Sequence, residues 1–453
     1  AWEAIASRIC LPAPPVPDAI PIAVFNTLNW ERSEVVSWQI PGDLPTDWAV
    51  WGDHGAWPYA SHSQERTLHF MPDPIPSCGY RVFWYGPRQD TDHIPASPSR
   101  WVLDNMLLRV EVCPKTGTLK SVWDQVAERE VLARAGNQLQ FFQDQGQYWD
   151  AWNIDPNYAN YALEAAQLKA IAWVSNHGIQ QRLRVELQWR QSVFIQDYVL
   201  DWGSSVLKIE TQVDWQETHV LIKAAFPISL SAEFATYEIP CGAIQRPTLP
   251  NSQPLTEHEK AKWEVPALHW ADLTSTDGSY GVSLLNDCKY GYDAQPDCLR
   301  LTLLRSPRWP DPACDRGEHR FTYALYPHGG SWQTAHTVRR GYELNRPLCA
   351  QRVKDANHSN GDLSPVQSFW SGFADNLVLM ALKQSEDSAQ HWITRVYEAQ
   401  GQSANMEPTV TLPLQFSDHR DGLERVLPES DRTIGPWQVR TYGWVKMGST
   451  QLG

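Results

Sequence analysis

Along this 453-residue chain the apolar positions alternate with polar ones over many short runs. That period of two marks strands with one face buried and the other in water. "LRVELQWRQSVFIQDYVL" (183–200) alternates for most of its length, and "SVLKIETQVDW" (205–215) repeats the pattern. "HVLIKAAFPISL" (219–230), "RLTLLR" (300–305), "HRFTYALYPH" (319–328) and "NLVLMALK" (376–383) predict further strands. Turn signals such as Pro41-Gly42, Thr116-Gly117 and Asp277-Gly278 punctuate them. Residues 2–9 read as the tail of one helix, ended by the proline-rich "LPAPPVPDAIP". The pattern predicts an all-β chain.

Two polar breaks divide it. "GPRQDTDHIPASPS" (86–99) separates two β-like regions, and "QRVKDANHSNGDLSP" (351–365) reads as a linker. They place β domains at 20–95, 96–350 and 366–453. The middle region is long for one sandwich and requires many strands. No repeat period points to a propeller or solenoid.

Composition narrows the class. Apolar residues make up 42% and charged residues 20%, as in a folded globular protein. No run reaches the ~18 apolar residues of a membrane span, and "AWEAIASRICLPAPP" lacks the design of a signal peptide. The formal net charge is −14 and no Lys/Arg cluster stands out, so nucleic acid and anionic membranes are poor partners. Eight cysteines without C-x-x-C spacing read as reduced thiols, which favours the cytoplasm; a Cys288–Cys298 disulfide stays open. The 23 tryptophans suit sheet cores first, and sugar-stacking surfaces second.

Candidate chemistry is sparse. His54, His62 and His69 with Asp53, and His319 with His328, do not form a metal motif, and no nucleotide loop or nucleophile elbow is present. The stretch "GQYWDAWNID" (146–155) places Tyr148, Trp149 and Trp152 beside Asp150 and Asp155 on a loop leaving the strand "QLQFF" (138–142). Three readings stay open for it: packing, a sugar-subsite wall, or a glycosidase acid pair, whose carboxyl separation a loop leaves undefined. A second loop, "RSPRWPDPACDRGEH" (305–319), carries Arg308, Trp309, Asp311, Asp315 and Arg316, fit either for bonding sugar hydroxyls or for internal salt bridges. A third segment, "ATYEIPCGAIQRPTLPNS" (235–252), offers Tyr237, Glu238, Gln245 and Arg246 on what reads as a sheet-edge turn.

Several stretches, in order, resemble family 38 glycoside hydrolases, the α-mannosidases, most of all bacterial ones. They are "AVFNTLNWERSEVVSWQIP", "TGTLKSVWDQVAEREVL", "NQLQFFQD" with "WDAWNID", "YEIPCGAIQRPT", "WADLTSTDGSYGVSLLNDCKYGYDA" and "LLRSPRWPDPACDRGEHRFTYALYPH"; "NLVLMALKQSED" and "WITRVYEAQG" resemble the family's C-terminal β domain. The resemblance implies a large two-sheet, galactose-mutarotase-like supersandwich flanked by two smaller β-sandwiches, with residues 1–19 a remnant of a preceding helical bundle. It implies a C-terminal portion of a retaining α-mannosidase. The catalytic barrel, its nucleophile and its zinc would lie outside this chain, which would hold no cofactor and be inactive alone. The expected partners are that barrel and an α-mannoside or oligosaccharide. In the family this region supplies an arginine and an aromatic residue near the sugar. The resemblance carries these onto Arg316 and onto Tyr148 or Trp149, with Asp150 beside them. The alternative is a non-catalytic carbohydrate-binding or scaffolding β module.

Overall fold

The computed structural model describes residues 2–52, 58–59, 61–64, 66–88, 101–144, 150–250, 254–353, 361–428 and 431–447, the backbone alone at 58–59 and 61–64. Nearly every described element is a β-strand, so the fold is all-β with sheets packed face to face. The chain forms two compact units: Ala1–His93 with Pro240–Ala243 and Arg346–Gly453, and Ile94–Ile239 with Ile244–Asn345.

The second unit is built on a nine-stranded antiparallel sheet. Its order is Gln167–His177, Gln180–Trp189, Ser192–Asp201, Leu207–Trp215, Gly317–Gly329, Tyr280–Asn286, Trp270–Thr274, Phe234–Ile239 and Gly242–Pro247. The first four are joined in sequence order. In Gln180–Trp189 and Leu207–Trp215, buried and wetter positions alternate as the period-two pattern requires. A five-stranded sheet runs Gln138–Gln143, Val220–Pro227, Cys298–Arg305, Gly291–Gln295 and Val265–Pro266, and a four-stranded sheet covers residues 102–130. Val220–Pro227 is buried at every position, which explains its unbroken apolar run.

One core joins these sheets. Phe141 of the five-stranded sheet stacks on Trp189 of the nine-stranded one at 4.3 Å between centroids, and Trp189 stacks on Trp215 at 5.9 Å. Their indole N–H groups donate to Glu164 O (2.8 Å) and Ser306 Oγ (2.5 Å), so neither large ring costs an unpaired donor. A buried polar knot sits in the same core. Asn137 Nδ2 donates to Gln196 Oε1 (3.1 Å) and to the Tyr198 hydroxyl (2.9 Å), while the Tyr323 hydroxyl donates to Asn137 Oδ1 (2.6 Å). The Tyr198 hydroxyl in turn donates to Gly117 O at 2.7 Å. Each member's donors and acceptors find partners, the condition under which a buried network fixes one register.

The first unit pairs Cys349–Arg352, Ile20–Asn26, Gly79–Gly86 and Ala49–Trp51 in one sheet, and Val366–Ser368 also pairs with Gly79–Gly86. Ile22, Val24, Phe83 and Tyr85 pack towards a second sheet containing Val36–Gln39 and Thr67–Phe70. The opposite face, Ala23, Phe25, Tyr80 and Trp84, packs with Ala6 of the helix Trp2–Ala6, whose Trp2 ring lies 4.5 Å from Phe25. A further five-stranded sheet centres on His391–Glu398 and Val439–Lys446, around Trp370, Leu377, Tyr442 and Trp444.

The predicted strands appear within three residues of the runs that announced them, with one refinement: 183–200 is a hairpin, Gln180–Trp189 and Ser192–Asp201, turning at Arg190 in the left-handed region (φ 51°). The helix Thr337–Asn345 has no counterpart in the sequence reading. It buries only Thr337, Val338 and Gly341, too few apolar positions to display a period. None of the eight cysteines forms a disulfide, which answers the question of a Cys288–Cys298 bridge. Among the described residues ten tryptophans, Trp84, Trp189, Trp215, Trp270 and Trp370 among them, are buried, so the core accounts for much of the tryptophan content.

Candidate functional site

Gln138–Gln143 and Cys298–Arg305 flank Val220–Pro227 in the five-stranded sheet, both antiparallel to it. They therefore run parallel to each other and release their loops at the same end, where Gln143 faces Val220 and Arg305 faces Leu221. At that end the backbone of His219 bridges them. Asp144 N–H donates to His219 O (2.8 Å), and His219 N–H donates to Ser306 O (2.7 Å).

Two side chains then clasp the loops. The Arg305 guanidinium bonds the buried Asp144 carboxylate, donates to Ala151 O at 3.2 Å and also donates to Asn153 O. Asp150 closes the other side: Oδ2 accepts the backbone N–H of Arg308 (2.6 Å) and of Trp309 (3.3 Å), and His219 Nδ1 lies 3.8 Å from Oδ1. A carboxylate accepting backbone N–H groups is a strong, short-range tie, and here it joins residues far apart in sequence.

What the clasp displays is aromatic. The Trp152 and Trp309 rings lie 5.4 Å apart at 52°, and they stay 65% and 49% exposed. A buried Trp is explained by the core it fills; here two large apolar rings are held side by side in solvent. Indole faces of this kind stack on the C–H face of a pyranose. The same loop delivers Arg316 at the start of Gly317–Gly329. Asp315 (φ 60°) and Gly317 (φ 119°) turn the chain there, and His319 Nε2 bonds Asp315 O at 2.7 Å. Arg316 is exposed, and its guanidinium has no ion-pair partner among the described residues.

Of the residues singled out in the sequence, Asp150 and Arg316 thus belong to one loop assembly; Tyr148 and Trp149 lie outside the described residues. Asp155 is engaged with backbone, its Oδ1 accepting Asn157 N–H at 2.8 Å. In the third segment, Glu238 is buried and accepts the backbone N–H of His269 (2.6 Å) while meeting its Nδ1 at 2.9 Å; Tyr237 is buried as well. Among the described residues no three His, Cys, Asp or Glu side chains group as metal ligands. Sequence reasoning passed over Asp144 and Arg305. Their only signal was position: each ends a strand that opens into one of the two loops.

Comparison with known proteins adds the lineage. Residues 103–313 match the model "Glycosyl hydrolases family 38 C-terminal domain", and residues 376–442 match "Glycosyl hydrolases family 38 C-terminal beta sandwich domain". The chain is 34% identical over 445 residues to human "Alpha-mannosidase 2C1", covering 95% of itself and 39% of that protein. It is 31% identical to "Alpha-mannosidase G" of Dictyostelium discoideum, over 76% of itself and 32% of the relative. The chain thus spans about two-fifths or less of the length of these relatives. A solved α-mannosidase from Enterococcus faecalis V583 superposes with a TM-score of 0.75 at 15% identity, over 98% of this chain and 57% of that one, a likeness of fold.

Proposed function

Since the chain belongs to glycosyl hydrolase family 38, whose C-terminal domain and C-terminal β-sandwich domain it carries, we propose that it builds one wall of the mannose subsite of an α-mannosidase. The reaction would be retaining hydrolysis of terminal α-mannosides, with the catalytic carboxylates and the zinc contributed by residues outside this chain. The observation that carries the proposal is the clasped pair of loops with Trp152 and Trp309 exposed side by side.

The roles divide as follows. Trp152 and Trp309, with Tyr148 and Trp149, present aromatic surface to the sugar. Arg316 bonds hydroxyls in fixed geometry through its planar fork. Asp150 is a positioning residue, since its Oδ2 is spent on the amides of Arg308 and Trp309. The nine-stranded and five-stranded sheets would be the two layers of a galactose-mutarotase-like supersandwich, the small domains at 20–95 and 366–453 would flank it, and cysteines without disulfides fit a cytoplasmic setting.

A single wall loses most of the contacts of an enclosed site. The purified chain, assayed with an aryl α-mannoside and zinc, therefore shows no turnover; turnover by the chain alone sinks the half-site reading. Titration with methyl α-mannoside, followed by ligand-observed NMR, gives weak binding, on the order of millimolar. That binding disappears in Trp309→Ala and in Trp152→Ala. Micromolar binding would instead support the rival reading, a carbohydrate-binding module that needs no other wall.

A further inference from the structure

One joint of the loop clasp is not closed. Asp150 Oδ2 is filled by the amides of Arg308 and Trp309, while Oδ1 accepts no hydrogen bond among the described residues. Facing it is His219 Nδ1, a buried atom that likewise has no hydrogen-bond partner. The two atoms lie 3.8 Å apart, beyond hydrogen-bond reach. A buried ring nitrogen and a largely buried carboxylate oxygen, both unbonded and turned to each other, are costly to keep apart.

The backbone fixes the ring in this place. His219 precedes Val220–Pro227 in the left-handed region (φ 53°), which residues other than glycine seldom adopt. Its C=O accepts from Asp144 N–H and from Gln143 Nε2 (2.9 Å), and its N–H donates to Ser306 O, so it is held between the two strands whose loops it serves. The ring stays 26% exposed, so its proton exchanges with water. The other charges brought to this end are occupied or turned to solvent. Asp144 is closed on Arg305, Asp155 accepts Asn157 N–H, and Arg308 is exposed. Glu217, on the connection before His219, accepts Gln191 N–H (3.0 Å) and the Ser192 hydroxyl (3.1 Å). Asp150 is therefore the carboxylate that answers a charge on the ring.

We propose that His219 is a positioning residue of the clasp: when protonated, its ring closes on Asp150 Oδ1 and draws the two loops together. Closure requires a movement of about 1 Å, to the ~2.8 Å of a charge-assisted N–H···O bond. The neutral ring leaves the joint open. A proton that strengthens the joint is in turn favoured by it. Imidazole changes its charge between about pH 5 and 8, so the clasp is tighter at the acid end of that range and looser at the alkaline end. What this does for a sugar rests on the role proposed above for Trp152 and Trp309; the latch itself does not.

Hydrogen exchange of the whole chain, read by mass spectrometry and corrected for the intrinsic pH dependence of amides, tests the joint without sugar. Peptides carrying the Arg308 and Trp309 amides are expected to exchange about threefold more slowly at about pH 5.5 than at about pH 8, the size of effect of a partly exposed ion pair. The difference disappears in His219→Asn, which accepts the same left-handed backbone and does not titrate in this range. It also disappears in Asp150→Asn, which keeps an acceptor oxygen for those amides. The proposal is overturned if the parent shows no such difference, or if the difference persists in either variant. Methyl α-mannoside titrated at both pH values tells the two readings apart. If the loops tighten on acidification but sugar affinity does not follow, the latch stands and the sugar wall falls.

Discussion

At the scale of single residues, the candidate site turns on what Asp150 does with its oxygens. One accepts two backbone N–H groups of the facing loop, so removal leaves those donors without their partner. Asp150→Ala is expected to cost about 1–2 kcal/mol in urea unfolding and to weaken mannoside binding, whereas Asp150→Asn, which keeps an acceptor oxygen, recovers most of both. An equal loss in the two variants would show that charge, and not the tie, is what matters. Asp197 illustrates the pH side. Burial pushes its carboxyl up, but hydrogen bonds from Arg184 and Arg182 more than offset this and hold it below the ordinary carboxylate range. A depressed carboxylate stabilises the fold above its unfolded pKa, about 3.9, and loses that contribution as pH falls through the lower folded value. Asp197→Asn should therefore lower stability by about 2 kcal/mol at pH 7, a figure reduced because Arg184 is partly exposed. The gap in urea midpoints between variant and parent should narrow as pH falls through the lowered folded value; a gap that does not narrow on acidification contradicts the linkage.

At the scale of elements, a central strand carries a charge because its neighbours complete it. Val220–Pro227 is buried throughout, yet holds Lys223 between Asp293 and Glu264. Burial alone would lower its pKa, but the two carboxylates raise it, so the ammonium stays charged at neutral pH. Lys223→Met should destabilise by about 3–5 kcal/mol, because Glu264 loses its cation and Asp293 keeps only Arg300. Adding Glu264→Gln to it should return part of that loss, measured by chemical unfolding, because the carboxylate left without a cation is then neutral; further loss with the added change would mean the cluster is not ionic in its effect. The loop clasp is an element-scale device as well. Arg305 ends one strand and reaches the loop of another, so Arg305→Met is expected to abolish the weak mannoside binding and also to lower the thermal midpoint, because the buried Asp144 carboxylate loses its cation. Unchanged binding would show that the loops hold their shape without it.

At the scale of the whole molecule, the second unit has its own core and its own sheets. Expressed as residues 94–345, it should fold cooperatively, with near-ultraviolet circular dichroism from its stacked Phe141, Trp189 and Trp215. A signal lacking tertiary structure would mean that this core depends on the remainder of the chain. The sequence by itself determined the class of the fold and most strand positions. Burial of one strand face writes a period of two directly into residues such as those of 205–215, and that pattern is local. It also determined which loops to watch, since acids, arginines and aromatics gathered at 146–155 and 305–319 are visible without coordinates. Only the tertiary structure decided how these loops meet. The partnership of Asp150 with the amides of Arg308 and Trp309, the hold of Arg305 on residues 151–153, and the pairing of Trp152 with Trp309 depend on two strands flanking a third. Strand order within a sheet leaves no periodic trace in sequence, because it is set by packing between residues far apart in the chain.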